Sequence, residues 1–578
     1  MTHNGDKIGY QDAVVDTRVT LDGLASQALK TGRNRLVLAI ALFAMAYGLV
    51  AMRLADVALL NDGFEPRFAR AVAVQHAQLG RRDIVDRNGA LLATNLPTAS
   101  LYADPARVLD AEEAADRLAA ALADVSRAEL LGKLASARRF VWLKRNLTPR
   151  QQDAVNRLGL PGVAFQREER RVYPYGRLFV HVVGYADIDS RGLAGVEKAF
   201  DEALRGPVHE RGEPLRLSLD ARFQHVVRDE LARAMAEFRA VGAAAVVLDA
   251  TNGEVLALVS LPDFDPNRAR DDDTARFNRA TLGAYEMGST FKLFTIAMAL
   301  DSGTVGLRDG YDASEPLRVA RFVIRDYKPE KRWLSVSEIF VRSSNIGAAK
   351  MALDIGTARQ RTYLSRFGLL RPADIELPEV AAPIVPAPWR EINTMTIAYG
   401  HGIAVSCLQL AAATGAVVNG GVFYAPTLLW RSADEPRLGW RAITRRTSAQ
   451  MRSLMHLVVT EGTGKKAAVA GYLVGGKTGT AEKPGAGGYQ RKALVSSFAA
   501  AFPIDAPRFV VFVMLDEPKG TKATYNYATG GWTAAPTVRR IIARIGPMAG
   551  IPAIDDSEAA VRSLLVATAD GKGKGVAF

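Results

Sequence analysis

The stretch EMGSTFKLFTIAMAL, residues 286–300, joins a structure-breaking glycine to a Ser-x-x-Lys tetrapeptide and an apolar run of helical character. Residues three apart on a helix share a face, so Ser289 and Lys292 can touch. A serine hydroxyl is a weak nucleophile until a base takes its proton, and a lysine serves as that base only when it is largely neutral. Burial and the positive end of a helix both lower a lysine pKa. Phe291, Leu293 and Phe294 supply apolar surroundings for Lys292. The tetrapeptide is weak evidence in general, but Ser289 is the only serine in the 578 residues with a lysine three positions later.

Two further stretches extend this reading. In LSVSEIFVRSSNIGAAKMAL, residues 334–353, Ser335 and Glu338 have the spacing of a capping box. Ser343 and Asn345 then fall where a loop or helix break can aim a hydroxyl and an amide into a cleft. The hydroxyl suits proton relay, and the amide suits holding Lys292 and a substrate amide together. Alone, such a tripeptide is usually a turn or cap. After AGYLVGG, the run Lys477-Thr478-Gly479-Thr480 reads as a strand. Alternation sets Thr478 and Thr480 on one face, Gly479 allows close approach of a substrate backbone, and Lys477 suits a carboxylate or the Ser343 hydroxyl. Lys30-Thr31-Gly32 repeats the tripeptide by chance.

The length prior allows three or four domains of ordinary size, and with 48% hydrophobic residues the chain can build large cores. The net charge of +13 suits nucleic acid, anionic lipid or an acidic polymer. Without zinc-finger spacing, an RNP-like motif or a long basic block, nucleic acid is excluded as the expected partner. One cysteine, Cys407, rules out an intramolecular disulfide framework and a cysteine metal cluster. Its context, AVSCLQLAAA, reads as a buried helix start.

Residues 36–52 form a charge-free apolar run, long enough to span the hydrocarbon core if extended through 54–60. Lys30, Arg33 and Arg35 crowd its upstream flank, while Arg53 downstream stands near Asp56. This bias orients a short N-terminus to the cytoplasm and the bulk outside. Residues 1–35 show no clear apolar period and read as a mobile tail.

Beyond the span, Asp86-Arg87-Asn88-Gly89 reads as a turn between short strands, 111–137 as helical and 151–158 as a short helix. From residue 214 the texture changes. LRLSL reads as a strand, and Asp220 caps a helix over 221–239. AAAVVLD and EVLALVSL, joined by Asn252-Gly253, predict a hairpin. ALVSSFAAAF and RFVVFVML add apolar strands near the end. These elements read as α+β: one apolar span, a charged and mixed stretch to about residue 212, and an antiparallel sheet with helices between its strand pairs, with the GKGKG end disordered.

Ser-x-x-Lys, Ser-x-Asn and Lys-Thr-Gly in that order form the motif set of penicillin-binding proteins and serine β-lactamases. The chain resembles class B penicillin-binding proteins more widely. RRDIVDRNGALLA (81–93), RVYPYG (171–176), HVVGY (181–185) and GLAGVEKAFDEALRG (192–206) resemble that family's pedestal motifs. LDATNGEVLALVSLPDFDPN (248–267) and YGHGIAVSCLQLA (399–411) resemble its transpeptidase domain. Arg82 stands where Gly is usual, and Met287 and Cys407 stand where Pro is usual; none of these removes a reacting group. The compact DIDSRGLAGVEKAFD (187–201) looks more like the cell-division branch than the elongation branch.

The resemblance implies a peptidoglycan D,D-transpeptidase of α+β class: one transmembrane helix, an elongated mixed pedestal, and a transpeptidase domain with an antiparallel sheet flanked by helices plus a helical subdomain. Its divisions would be a cytoplasmic tail at 1–35, a transmembrane helix at 36–56, a pedestal at 57–212, a transpeptidase domain at 213–548 and a C-terminal tail at 549–578. Lys292 would deprotonate Ser289, which attacks the penultimate D-Ala carbonyl of a stem pentapeptide. Ser343, Asn345 and Lys477 would complete the catalytic set. The backbone N–H groups of Ser289 and Thr480 would form the oxyanion hole, and Lys477, Thr478 and Thr480 would hold the terminal carboxylate. β-Lactams would acylate the same serine. No metal or organic cofactor is implied. The implied partners are a membrane-embedded glycan polymerase of the FtsW/RodA type and other division proteins, with the catalytic domain periplasmic on a single-pass inner-membrane anchor. Competing readings are an elongation transpeptidase, a D,D-carboxypeptidase or β-lactamase, and, in a different class, a silent division scaffold or β-lactam sensor. His181 reads as structural, His401 as a candidate lining residue, and Asp271-Asp272-Asp273 as a solvated loop. Arg81, Asp86, Arg171 and Glu197 read as pedestal salt-bridge or partner-contact residues.

Overall fold

A computed structural model describes residues 18–55 and 79–554, apart from 208–211, 269–272, 320–321, 433 and 486–487. The extension of the apolar run through 56–60, Asp271, Asp272 and the end from 555 therefore lie outside the described residues. The chain divides into two compact units, Met1–Ala77 and Gln78–Phe578.

In the first unit, helix α1 (Arg18–Ala55) contains the window Arg35–Met52, which is long and apolar enough to cross a membrane. The helix begins well before the expected boundary at residue 36. Helix propagation is cooperative once nucleated, so the apolar run carries Leu-, Ala- and Lys-containing sequence that has no amphipathic period of its own.

In the second unit, β1 (Ile84–Val85) turns through Asp86-Arg87-Asn88-Gly89 into β2 (Leu91–Ala103). The Asp86 carboxylate fixes this turn by accepting the amides of Asn88 and Ala90, each at 2.8 Å. The helical stretch expected at 111–137 is two helices, α2 (Ala111–Ala121) and α3 (Arg127–Leu134). Ser126 accepts the Glu129 amide and so starts a new helix rather than continuing the old one. Strand β3 (Val141–Leu147), helix α4 (Pro149–Asn156) and strand β4 (Val163–Val172) follow, and β3 and β4 both pair with β2. The LRLSL run supplies only a two-residue strand, β5 (Leu215–Arg216), parallel to β1.

Glu197 sits at the centre of a buried charge cluster. It accepts Arg81 Nε at 2.8 Å and Arg171 Nε at 2.7 Å, and Arg81 also reaches Asp201 at 2.6 Å. The expected salt bridge is present, but burial removes Arg81, Arg171 and Glu197 from any surface a partner would touch. Asp86 lies outside the cluster. Its second oxygen accepts the Ala221 amide at 3.0 Å and so ties the turn to the next helix.

That helix, α5 (Ala221–Glu237), starts at Asp220 as the sequence predicts. Strands β6 (Gly242–Asp249) and β7 (Val255–Leu261) form the expected hairpin. The site helices come next: α6 (Lys292–Asp301), α7 (Val336–Arg342), α8 (Asn345–Ile355), α9 (Cys407–Val418) and α10 (Arg445–Thr460). Strands β8 (Gly475–Gly485), β9 (Gly488–Phe502) and β10 (Phe509–Asp516) and helix α11 (Ala534–Met548) complete the unit.

The five strands lie in the order β7-β6-β10-β9-β8, all antiparallel. Alternate residues of each strand enter different cores. Ala245, Val247, Val511 and Val513 pack with α5 and α11, whereas Ala244, Val246, Val510 and Phe512 pack with α6, α9 and α10. Because both faces are covered, these strands read as continuous apolar runs rather than as polar–apolar alternation. Strand β8 is the last strand of the sheet, and the Ser289 turn packs against it.

Candidate active site

Ser289 lies in a single 3-10 turn, Gly288–Phe291, which leads directly into α6. Gly288 has φ +55°, and a Cβ there would lie 2.2 Å from the Thr480 carbonyl oxygen. Only glycine meets both demands. The turn thus rests against β8, and a Cβ on Gly479 would fall 2.5 Å from the Met287 carbonyl and 2.3 Å from Ser497 Oγ. The missing side chain of Gly479 thus makes room for the protein's own nucleophile turn.

Lys292 Nζ lies 2.8 Å from Ser289 Oγ, 2.7 Å from Asn345 Oδ1 and 2.9 Å from the Ser343 carbonyl. The side chain is fully buried, and burial lowers its pKa to about 7, against a partial counter-pull from Asp326. A neutral amine has two N–H donors and one lone pair. Donation to Asn345 Oδ1 and the Ser343 carbonyl leaves the lone pair to accept the Ser289 hydroxyl proton, which is the arrangement a general base requires.

Helix α7 starts at the predicted Ser335–Glu338 capping box and ends at Ser343, whose φ of +66° is left-handed. This turn lets Ser343 face the cleft while Ser344 caps α8. Non-glycine residues in that conformation cost energy and concentrate at functional sites. Lys477 is also fully buried, and its Nζ donates to Ser343 Oγ at 2.9 Å. Of the two uses expected for Lys477, the structure shows the hydroxyl. Desolvation first, and the nearby Lys292 second, hold its pKa well below that of an ordinary lysine. Thr478 Oγ1 pairs with Thr463 Oγ1 at 2.7 Å, and Thr480 Oγ1 accepts the Gly530 amide at 3.0 Å.

The structure therefore gathers Ser289, Lys292, Ser343, Asn345 and Lys477 into one connected network beside Thr478, Gly479 and Thr480. His401 belongs to the same neighbourhood. Burial, with the Lys292 charge second, lowers its pKa to about 4, and its ring packs between Tyr399 and Tyr489. Tyr489 donates to Glu286, three residues before the nucleophile. His181 places Nε2 2.7 Å from the Ala275 carbonyl, in keeping with a structural role. Cys407 is buried at the start of α9, and burial pushes its thiol pKa up. Among the described residues no group of His, Cys, Asp and Glu has the spacing of a metal site.

Asp326 and Thr463 are neighbours of this network that the sequence reading missed. Neither lies in a motif. Each reaches the site through packing, with Asp326 separated from Ser344 by 18 positions and Thr463 from Thr478 by 15.

Residues 243–543 match the penicillin binding protein transpeptidase domain, and residues 77–211 match the penicillin-binding protein dimerisation domain. The chain is 41% identical to the probable peptidoglycan D,D-transpeptidase FtsI of Caulobacter vibrioides, over 85% of this chain and 86% of that one. It is 31% identical to peptidoglycan D,D-transpeptidase FtsI of Escherichia coli K12, over 82% and 84%. A penicillin-binding protein 3 from Mycobacterium tuberculosis, solved with ampicillin, shares the fold with a TM-score of 0.66 at 24% identity, covering 83% of this chain and 97% of that one. Motif order, cleft geometry and these likenesses converge: the chain belongs to the class B penicillin-binding proteins, which couple a dimerisation domain to a transpeptidase domain.

Proposed function

We propose that this chain is the peptidoglycan D,D-transpeptidase of septal wall synthesis, acting through an acyl-enzyme on Ser289. The observation that carries the reading is the 2.8 Å approach of Ser289 Oγ to a buried Lys292 that is itself held by Asn345 and Ser343.

Ser289 Oγ attacks the carbonyl carbon of the penultimate D-Ala while its proton passes to Lys292 Nζ. The oxyanion forms against the backbone N–H groups of Ser289 and Thr480, two segments packed on each other. Collapse breaks the peptide C–N bond, and the leaving D-Ala amine takes a proton through Ser343, which Lys477 orients. An amine from a neighbouring stem attacks the ester, gives up a proton and releases Ser289. Among the described residues strand β8 has no strand partner on its outer edge, which suits an extended stem peptide added as a further strand, with Thr478 and Thr480 near its carboxylate. β-Lactams enter at the same attack step. The helix at Arg35–Met52 anchors the chain in the cytoplasmic membrane, with the flanking positive charges setting the N-terminus inside and the catalytic domain in the periplasm. A membrane-embedded glycan polymerase supplies the strands to be cross-linked.

A fluorescent penicillin should label the purified chain covalently, and Ser289→Ala should abolish labelling; persistent labelling of that variant refutes the nucleophile assignment. With uncross-linked glycan bearing pentapeptide stems, cross-linked dimers should appear. D-Ala release without dimers supports a carboxypeptidase instead. Depletion should give filamentous cells, and round cells would indicate elongation.

A further inference from the structure

We infer that Asp326 is a positioning residue for the acylation step: its carboxylate sets the Ser343–Asn345 turn, so that the placement of Asn345 against Lys292 depends on it. This deepens the transpeptidase reading and rests on it.

Asp326 follows a short hairpin, Leu317–Val319 with Phe322–Ile324, which is anchored where Ile324 packs with Ala349 of α8 and with Met395. The anchor sets the largely buried Asp326 carboxylate on the start of α8. One oxygen accepts the amides of Asn345 at 2.5 Å and Ile346 at 3.0 Å, and the other accepts the Ser344 hydroxyl at 2.7 Å. The adjoining Arg325 carbonyl accepts Asn345 Nδ2 at 2.9 Å. An amide group has one oxygen and one nitrogen end, so fixing the nitrogen on Arg325 aims Oδ1 at Lys292, where it lies 2.7 Å from Nζ. Helix capping alone does not require this arrangement, because Ser344 already caps α8 through the Gly347 amide at 3.0 Å.

Among the described residues, three charged or titratable groups act electrostatically on Lys292 from the surrounding elements. Asp326 favours its protonated form, whereas Lys477 on β8 and His401 before α9 disfavour it when they carry charge. Asp326 is the negative member of this set, so its removal makes Lys292 harder to protonate.

The test is the second-order rate of acylation by a fluorescent penicillin against pH, for the full-length chain, Asp326→Asn and Asp326→Glu. Asp326→Asn should lower the alkaline plateau by about 10-fold to 100-fold through misplacement of the network. It should also move the acid limb to lower pH by roughly one unit. Asp326→Glu keeps the charge but not the reach, so its plateau should fall while its limb stays with the parent's. A role confined to capping would lower the unfolding temperature and leave the limb in place, and that result overturns the inference, as does an unaltered plateau. If Asp326→Asn fails to fold, a limb in Asp326→Glu displaced to lower pH overturns it instead. Failure of the parent chain to label, or labelling of Ser289→Ala, would instead strike the transpeptidase reading itself.

Discussion

Two buried charge clusters in this protein solve the same physical problem in opposite ways. Around Glu197, charge meets charge: Arg81 and Arg171 converge on one carboxylate, and Asp201 takes part of the surplus. Around Ser289, two lysines are buried against neutral oxygens of Ser289, Ser343 and Asn345, with Asp326 as a more distant counter-charge. A compensated cluster holds structure together, because removing one member strands the others in a low-dielectric interior. An undercompensated lysine relieves its desolvation by giving up its proton, which makes it a base near neutral pH. Burial alone therefore says little about role; the identity of the nearest partner decides it.

The largest effect that could break this contrast is at Lys292. Lys292→Met should reduce penicillin acylation by about 10²–10⁴-fold, while the unfolding midpoint holds or rises because an unfavourably buried amine is gone. A steep fall in stability would place Lys292 with the structural charges. Glu197→Ala should do the reverse. It should cost about 3–5 kcal/mol in denaturant unfolding, yet the acylation rate of the folded fraction should stay within about twofold, as expected for a distant site.

The unfolded Lys292 binds a proton below its ordinary value of 10.5, whereas the folded one does so only below about 7. Between these limits the unfolded state holds more protons, so unfolding free energy rises with pH, by at most about 1.4 kcal/mol per pH unit from this group. The parent chain should show this rise relative to Lys292→Met, and parallel curves would refute the shift. Acylation should rise through the same lower limit, near pH 7. The smallest effect is expected at Asp86, which bridges a turn and a helix without belonging to either cluster. Asp86→Asn should cost about 1–2 kcal/mol and leave acylation unchanged.

Elements with strong local signals were legible in the sequence. The Asn252-Gly253 hairpin, the capping box at Ser335 and Glu338, and the Asp220 cap depend on neighbours a few residues away, and each forms as expected. Other features escape a sequence reading for different reasons. The start of α1 at Arg18 reflects propagation from the apolar run, whereas the break between α2 and α3 is a local cap at Ser126 hidden in an otherwise helical composition. The packing of Gly479 against the Met287 carbonyl joins segments far apart in the chain, which no local signal announces.

By itself the sequence determined which reactive groups exist, their order and their local geometry: a hydroxyl and an amine one helical turn apart, an amide at a helix break, and a Thr-lined strand after an apolar run. Tertiary structure alone decided that Lys477 would meet Ser343 across 134 positions and that the Arg325 carbonyl would aim the Asn345 amide while Asp326 held its backbone. It also decided that Lys292 would be dry. The physical reason is that a pKa and a hydrogen-bond partner are properties of the space around a group. That space is built by strands and helices packing from remote parts of the chain, which no local period encodes.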